Sequence, residues 1–109
     1  MVERYEVVVT EKAEISLMQI TQYLEEESSF ATAERVLENL LEAIDSLSTY
    51  PESNGILHEI SDEEITYRRL IKWSYRIIYN VEETTKRVYV VDVDHVRKDP
   101  LRLKEAFKK

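Results

Sequence analysis

The stretch Tyr67-Arg-Arg-Leu-Ile-Lys-Trp-Ser-Tyr-Arg-Ile-Ile-Tyr-Asn-Val81 decides the fold of this 109-residue chain. Aromatic and β-branched residues dominate it, and Trp73-Ser74 divides it into two runs, which predicts an antiparallel hairpin with a tight turn. Because side chains alternate along a strand, one face of the second run carries four apolar residues, Tyr75, Ile77, Tyr79 and Val81. The other face of this run carries Arg76, Ile78 and Asn80.

Strands are predicted by the same reasoning over Tyr5–Thr10, Ile65–Lys72, Tyr75–Val81 and Arg87–Asp94. The segment 51–64 is polar and contains the only Gly, which predicts a loop with a short strand over Ile56–Ile60. Trp73 and Phe107 are interpreted as packing residues, with stacking on nucleic-acid bases as the alternative. A short helix over Leu101–Phe107 is expected after Pro100.

Two helices lie between the first two strands. Thr10 is predicted to cap the first, which ends near the acidic run Glu25–Glu27. Ser28 or Ser29 is predicted to cap the second, and Pro51 to end it, with Tyr50 extended because it precedes proline. Its apolar stripe repeats at helical spacing through Ala33, Leu37, Leu40, Ile44 and Leu47.

The element order is therefore β-α-α-β-β-β, in one domain spanning residues 1–109. It predicts an α+β fold in which an antiparallel helical hairpin packs on one face of a mainly antiparallel sheet. The opposite face of the sheet is expected to remain open for a partner.

Charge is distributed unevenly along the chain. Residues 1–65 hold 16 Asp and Glu against 3 Lys and Arg, whereas residues 66–109 hold 6 against 12, and the total is −7. An acidic total argues against indiscriminate nucleic-acid binding, while a basic sheet suits an acidic or phosphate-bearing partner. The chain has no Cys, no signal-peptide layout and no apolar run of the roughly 20 residues that a membrane helix needs, so a cytoplasmic location without membrane contact is expected.

Four segments in order carry a resemblance to the RelE/ParE superfamily of toxins from type II toxin–antitoxin systems, also known as plasmid stabilisation proteins. The opening segment Tyr5–Ala13 and Leu47-Ser-Thr-Tyr-Pro51 resemble the family's first strand and its central helix end. Tyr67-Arg-Arg-Leu with Tyr75-Arg-Ile-Ile-Tyr79 resembles its central hairpin, and His95–Pro100 the segment after its last strand.

The resemblance implies one of two activities and one partner. RelE-like members cleave mRNA, often on the ribosome, and thereby inhibit translation, whereas ParE-like members inhibit DNA gyrase without catalysis. Both are silenced by a cognate antitoxin. The favoured expectation is a metal-independent mRNA endoribonuclease without cofactor. The alternatives are a gyrase inhibitor and a degenerate member that only binds its antitoxin. The chain is acidic and has no Tyr after Pro100, unlike many RNA-cleaving members, which keeps the gyrase alternative open.

Metal-independent RNA cleavage needs a base, an acid and a cation that stabilises the phosphorane. His95 is the candidate acid or base because imidazole exchanges protons near neutral pH. Arg76 and Arg97 are the candidate phosphate ligands, assisted by Lys72. The resemblance implies the same roles for Arg76, His95 and Arg97. Three further cations are assigned to antitoxin or nucleic-acid contact: Arg68, Arg69 and Lys98. His58 lies among carboxylates without a recognisable zinc pattern, so no metal site is predicted.

Overall fold

The computed structural model describes residues 4–96, which form two helices and four strands. The Arg97, Lys98 and Leu101–Phe107 predictions lie outside the described residues. The helices are α1 (Glu11–Glu27) and α2 (Phe30–Asp45). The strands are β1 (Glu6–Val9), β2 (Tyr67–Lys72), β3 (Tyr75–Glu82) and β4 (Arg87–His95).

The four strands form one mixed sheet in the order β1-β4-β3-β2. β1 runs parallel to β4, from Glu6 opposite Arg87 to Val9 opposite Val90, while β4–β3 and β3–β2 are antiparallel. The helices pack together and against this sheet. The predicted α+β fold, with a helical hairpin on a mainly antiparallel sheet, is therefore confirmed.

Side-chain caps begin both helices where the sequence predicts them. The Thr10 hydroxyl accepts a hydrogen bond from the Ala13 N–H, and the Ser29 hydroxyl accepts one from the Thr32 N–H. Each bond satisfies a backbone donor that has no partner inside the helix. Ser28 and Ser29 alone separate α1 from α2, and this short connection folds the helices back on each other.

The principal core lies between the helices and the sheet. Leu17 of α1 and Leu40 of α2 meet the face of β3 that carries Ile77 and Tyr79. Val88, Val90 and Val93 contribute from β4. The predicted alternation of β3 is confirmed, since its apolar face is the one that the helices cover.

The opposite face of the sheet is partly covered by the chain itself. Leu57 and Ile60, from the segment between α2 and β2, pack against Ile78 of β3. The expectation of an open face was therefore wrong for this half of the sheet. The reason is that Ile78 alternates with the core residues and needs its own apolar cover.

Three local predictions in the central segment were also wrong. α2 ends at Asp45, and Leu47 lies in a 3₁₀ turn over Ser46–Ser48, where the Ser46 hydroxyl donates to the Ala43 carbonyl. Tyr50 is left-handed, with φ 51° and ψ 51°, because its carbonyl accepts both the N–H and the hydroxyl of Ser53. The proposed strand over Ile56–Ile60 reduces to one bridge between Ile56 and Arg68.

β2 begins two residues later than predicted. The Asp62 carboxylate accepts hydrogen bonds from the N–H groups of Glu64 and Ile65, both at 2.8 Å. These bonds turn the backbone at the point where the apolar pattern predicted a strand.

Candidate functional site

A groove runs along the part of β4 that extends beyond β1. Since β1 pairs with β4 only as far as Val90, the first turns of α1 lie against the following residues of β4. The groove has a volume of about 440 Å³. Its lining comes from α1, β3 and β4: Ser16, Gln19, Ile20, Tyr23, Tyr75, Asp92, Val93, Asp94 and His95.

Asp92 anchors α1 to this part of β4. Its side chain is 2% exposed, and it accepts hydrogen bonds from the Ser16 hydroxyl at 2.5 Å and from the Lys12 ammonium at 2.7 Å. A third bond comes from the Val93 N–H. These contacts compensate the buried carboxylate, so Asp92 fixes the wall of the groove.

His95 lies at the open end of the groove. It is exposed, and its ring meets the Tyr75 ring edge-on with centroids 5.7 Å apart. The two residues face each other across the β3–β4 ladder. Burial raises the pKa of the Tyr75 hydroxyl, and nearby Tyr23 adds to this effect. The groove therefore ends where the His95 imidazole meets the Tyr75 ring.

Arg76 forms a buried ion pair with Asp94. The Arg76 Nε and Nη2 atoms donate to the two Asp94 carboxylate oxygens, each at 2.9 Å. Arg76 is 7% exposed and Asp94 is 8% exposed. The bonds to Asp94 raise the pKa of the guanidinium, against the opposing effect of burial. Asp94 thus neutralises the predicted phosphate ligand.

A bulge in β4 creates this pairing. Ile78 lies opposite Asp92 and Tyr79 lies opposite Val90, so Val91 is the extra residue. The shift brings Asp94 opposite Arg76 and Val93 opposite Ile77 in the core.

His95 and Arg76 are not brought together. Paired residues share a face of a sheet, and consecutive residues alternate between the faces. His95 pairs with Tyr75, whereas Arg76 pairs with Asp94, so these two side chains leave opposite faces of the sheet, although Asp94 itself lines the groove with His95.

Lys72 and Trp73 lie at the turn between β2 and β3. The Lys72 ammonium is 5.4 Å from the centroid of the Trp73 ring. Trp73 is 54% exposed, so its interpretation as a packing residue was wrong. Its backbone is left-handed, with φ 55°, as the tight turn demands. That geometry carries the ring past the end of the sheet and away from the core.

Arg68 and Arg69 form hydrogen bonds with the segment between α2 and β2. Arg68 donates to the Asn54 carbonyl at 2.7 Å, and Arg69 donates to the Ile56 carbonyl at 3.1 Å. Arg68 also lines a cavity of about 530 Å³ whose walls include Glu52 and Glu64. Their guanidinium groups therefore stabilise the fold at this point.

The sequence reasoning missed Ser16, Asp92 and Asp94. A signal for the two aspartates exists, because they interrupt the apolar run Val88-Tyr-Val-Val91 that begins β4. A carboxylate in such a strand requires a compensating cation or hydrogen bonds nearby. Ser16 carries no comparable signal, since a serine inside a helix is ordinary.

Within residues 4–96, no group of three or more His, Asp or Glu side chains is arranged to hold a metal ion. No helix in this part of the chain has the length and apolar character needed to cross a membrane.

The sequence and the fold match a class of small toxins. The sequence profile of the ParE toxin family of type II toxin–antitoxin systems, parDE, matches residues 7–100. The chain therefore belongs to this family, and it is the toxin of a type II toxin–antitoxin system. None of the curated proteins matches the chain by sequence.

Several solved structures share the fold, among them chains from three toxin–antitoxin systems. A chain of the chromosomal ParDE system from P. aeruginosa is 15% identical with a TM-score of 0.68, covering 85% of this chain and 97% of that chain. A chain of the RelBE2 toxin–antitoxin complex from Mycobacterium tuberculosis is 21% identical with a TM-score of 0.60, covering 84% of this chain and 91% of that chain. A chain of the archaeal RelE–RelB complex from Pyrococcus horikoshii is 16% identical with a TM-score of 0.61, covering 88% of this chain and 99% of that chain.

Proposed function

We propose that this toxin arrests growth by binding DNA gyrase, as the resemblance to ParE-like members implies, rather than by cutting RNA. The observation that carries the proposal is the register of β3 and β4, which places Arg76 opposite Asp94, where it is neutralised, and His95 opposite Tyr75. A nuclease needs its acid, base and cation around one phosphate. A binding protein needs only an accessible surface.

The charges around Arg76 also favour gyrase binding over RNA cleavage. A phosphate that approached Arg76 would also meet the Asp94 carboxylate, which holds two donors of the guanidinium at 2.9 Å. Removing Arg76 from Asp94 would leave a carboxylate buried without its cation, which is costly. Arg76 is thus a structural cation in this proposal.

The test compares two assays on the same protein. Purified toxin is added to gyrase and relaxed plasmid, and mRNA from induced cells is mapped by primer extension. We expect loss of supercoiling and intact mRNA. Codon-phased mRNA cuts with unaffected gyrase would overturn the proposal in favour of the nuclease. Harmless expression at high level, with neither effect, would favour a degenerate member.

Cleavage of mRNA is the second candidate function, and the exposure of His95 favours it. In this candidate His95 acts as acid or base beside Tyr75, with Lys72 and Arg97 as the cations. His95→Ala would then abolish cleavage, while Arg76→Lys would act through stability alone. Unchanged cleavage by His95→Ala would exclude this mechanism.

We further infer a cognate antitoxin partner, because the three structural neighbours are components of toxin–antitoxin systems. The groove between α1 and α2, which includes Met18, Thr21 and Leu37, offers it an apolar surface. Met18 is 69% exposed at this groove. An amphipathic helix or an extended apolar segment fits such a surface. The proposed gyrase and mRNA targets place both proteins in the cytoplasm.

A charge substitution tests this surface. Met18→Glu should abolish rescue of growth by the co-expressed antitoxin and leave toxicity intact. Tyr50→Glu is the matched control, since Tyr50 is also an exposed apolar side chain but lies outside the groove. Full rescue of Met18→Glu would exclude the groove as the antitoxin site.

A further inference from the structure

The tip of the β2–β3 hairpin displays an unusual group of exposed apolar side chains. Ile71 is 47% exposed, Trp73 is 54% exposed and Val96 is 40% exposed. The Val96 N–H donates to the Ser74 carbonyl at 2.9 Å, which ties the end of β4 to the turn. We refer to Ile71, Lys72, Trp73 and Val96 as the hairpin-tip surface.

Trp73 is an unfavourable choice for its position if folding alone is considered. A two-residue hairpin turn with positive φ favours Gly or Asn, because a β-carbon crowds the left-handed backbone. Trp73 has φ 55° and is 54% exposed. Neither the backbone conformation nor packing in the core explains a tryptophan at this position. We therefore look for its role in a contact with another molecule.

We propose that Trp73 is the anchor by which this toxin enters an apolar pocket on its protein target, with Lys72 meeting carboxylates at the pocket rim. The proposal rests on the proposed function, since it takes gyrase as the protein that supplies the pocket. Tryptophan is among the side chains that most often dominate binding energy at protein interfaces. Aliphatic flanks such as Ile71 and Val96 exclude water around such an anchor.

Charge at the tip defines the partner's chemistry. Lys72 Nζ stands 5.4 Å from the Trp73 ring, so burial of the ring carries the ammonium to the edge of the pocket. The nearby carboxylates Asp92 and Asp94 are compensated by Lys12 and Arg76. The tip therefore presents positive charge, which acidic groups complement.

A folded protein fits this surface better than a single-stranded nucleic acid does. Strand binding uses successive aromatic platforms along a basic groove. At the hairpin-tip surface Trp73 is flanked by aliphatic side chains, in a chain of net charge −7.

The first experiment measures gyrase inhibition by two matched variants. Trp73→Ala should raise the concentration for half-inhibition of supercoiling by at least about tenfold. Tyr50→Ala is the control, because Tyr50 is also an exposed aromatic residue with positive φ, beside the start of β1 instead of the hairpin tip. It should inhibit like the wild type. Equal inhibition by Trp73→Ala and wild type would overturn the proposal.

A second variant separates binding from folding. Trp73→Asn suits the left-handed backbone, so its melting temperature should match or exceed that of the wild type while inhibition falls as in Trp73→Ala. Loss of inhibition that is accompanied by unfolding of both variants would assign Trp73 to stability and overturn the proposal.

The chain has a single tryptophan, which supplies a direct probe. Replacing it by 7-azatryptophan allows selective excitation in the presence of unlabelled gyrase. We expect a blue shift of its emission when gyrase is added, because the ring leaves water. No shift with gyrase, or a shift with single-stranded RNA instead, would overturn the proposal.

Failure of the proposed gyrase target can be distinguished from failure of the Trp73 anchor. If wild-type toxin does not inhibit gyrase, the same variants are compared by growth arrest in cells. Loss of arrest by Trp73→Ala, but not by Tyr50→Ala, would keep the anchor and reject gyrase. Equal arrest by both, or no arrest by the wild type, would reject the anchor as well.

Discussion

Removing the charge of Asp94 gives a prediction whose size follows from the buried ion pair. In Asp94→Asn the Arg76 guanidinium keeps its buried position, at 7% exposure, and loses the anion that accepts its two bonds. Breaking one side of a buried pair costs about 3–5 kcal/mol, because the remaining charge is left without compensation. Asn retains one oxygen acceptor, so we expect about 3 kcal/mol.

Urea unfolding measures this loss directly. With a slope of about 2 kcal/mol per molar urea, a loss of about 3 kcal/mol lowers the unfolding midpoint by roughly 1.5 M. The control is the double variant Arg76→Met with Asp94→Leu, which removes both charges and keeps apolar bulk. Such replacements are often neutral or stabilising, so its midpoint should stay near that of the wild type.

The double variant also tests the role of Arg76. If Arg76 is a structural cation, the double variant folds and keeps its toxicity. A loss below about 1 kcal/mol in Asp94→Asn would refute the reasoning on burial. A stable double variant without toxicity would return Arg76 to the functional site.

Three further changes test other parts of the fold. Leu40→Ala, at a side chain that is fully buried between helix and sheet, should cost about 2–5 kcal/mol in urea unfolding; a loss under about 1 kcal/mol would contradict its place in the core. Tyr79→Phe should cost about 1–3 kcal/mol, because the Tyr79 hydroxyl donates to the Pro51 carbonyl and accepts from the Asn54 amide; an unchanged midpoint would show that water replaces it. Glu83→Gln should flatten the pH dependence of stability between about pH 4.5 and 2, since hydrogen bonds with Glu52, Lys86 and Tyr5 lower the pKa of Glu83 from 4.5 to about 2, while the contact with Glu83 raises the pKa of Glu52. A carboxyl whose pKa is lower in the folded than in the unfolded protein stabilises the fold at pH values above the unfolded-state pKa. This stability is lost as the pH falls through the folded-state pKa. An identical pH profile in the variant would contradict the prediction.

The helices and strands could be predicted because their signals are local. Thr10 and Ser29 cap helices by bonding to residues three positions ahead, and the alternation of β3 follows from the pleat alone. Tyr50 and the segment around Ile56 could not be predicted in the same way. Their conformations depend on bonds to Ser53 and on contact with β2 and β3, which sequence patterns do not display.

The candidate site was less accessible to sequence reasoning, because it depends on the register between β3 and β4. The alternation of side chains along β3 already places Arg76 and Tyr75 on opposite faces of the sheet. Which β4 residue lies opposite each of them is fixed by the bulge at Val91. Without that extra residue, Asp94 would lie opposite Tyr75 and Arg76 opposite Val93. One inserted residue thus decides whether Arg76 has a carboxylate partner.

The uneven charge of the chain acquires a different meaning once these partners are known. The basic half suggests a surface for phosphate, yet Arg68 and Arg69 hold backbone carbonyls of the central segment and Arg76 holds Asp94. Binding a partner through the N–H groups that make these bonds would break contacts within the fold. Lys72 differs, since its described contact is the face of an exposed ring that can enter a pocket together with it. Among residues 4–96, Lys72 therefore remains available to a target at the end of the sheet where Trp73 and His95 lie.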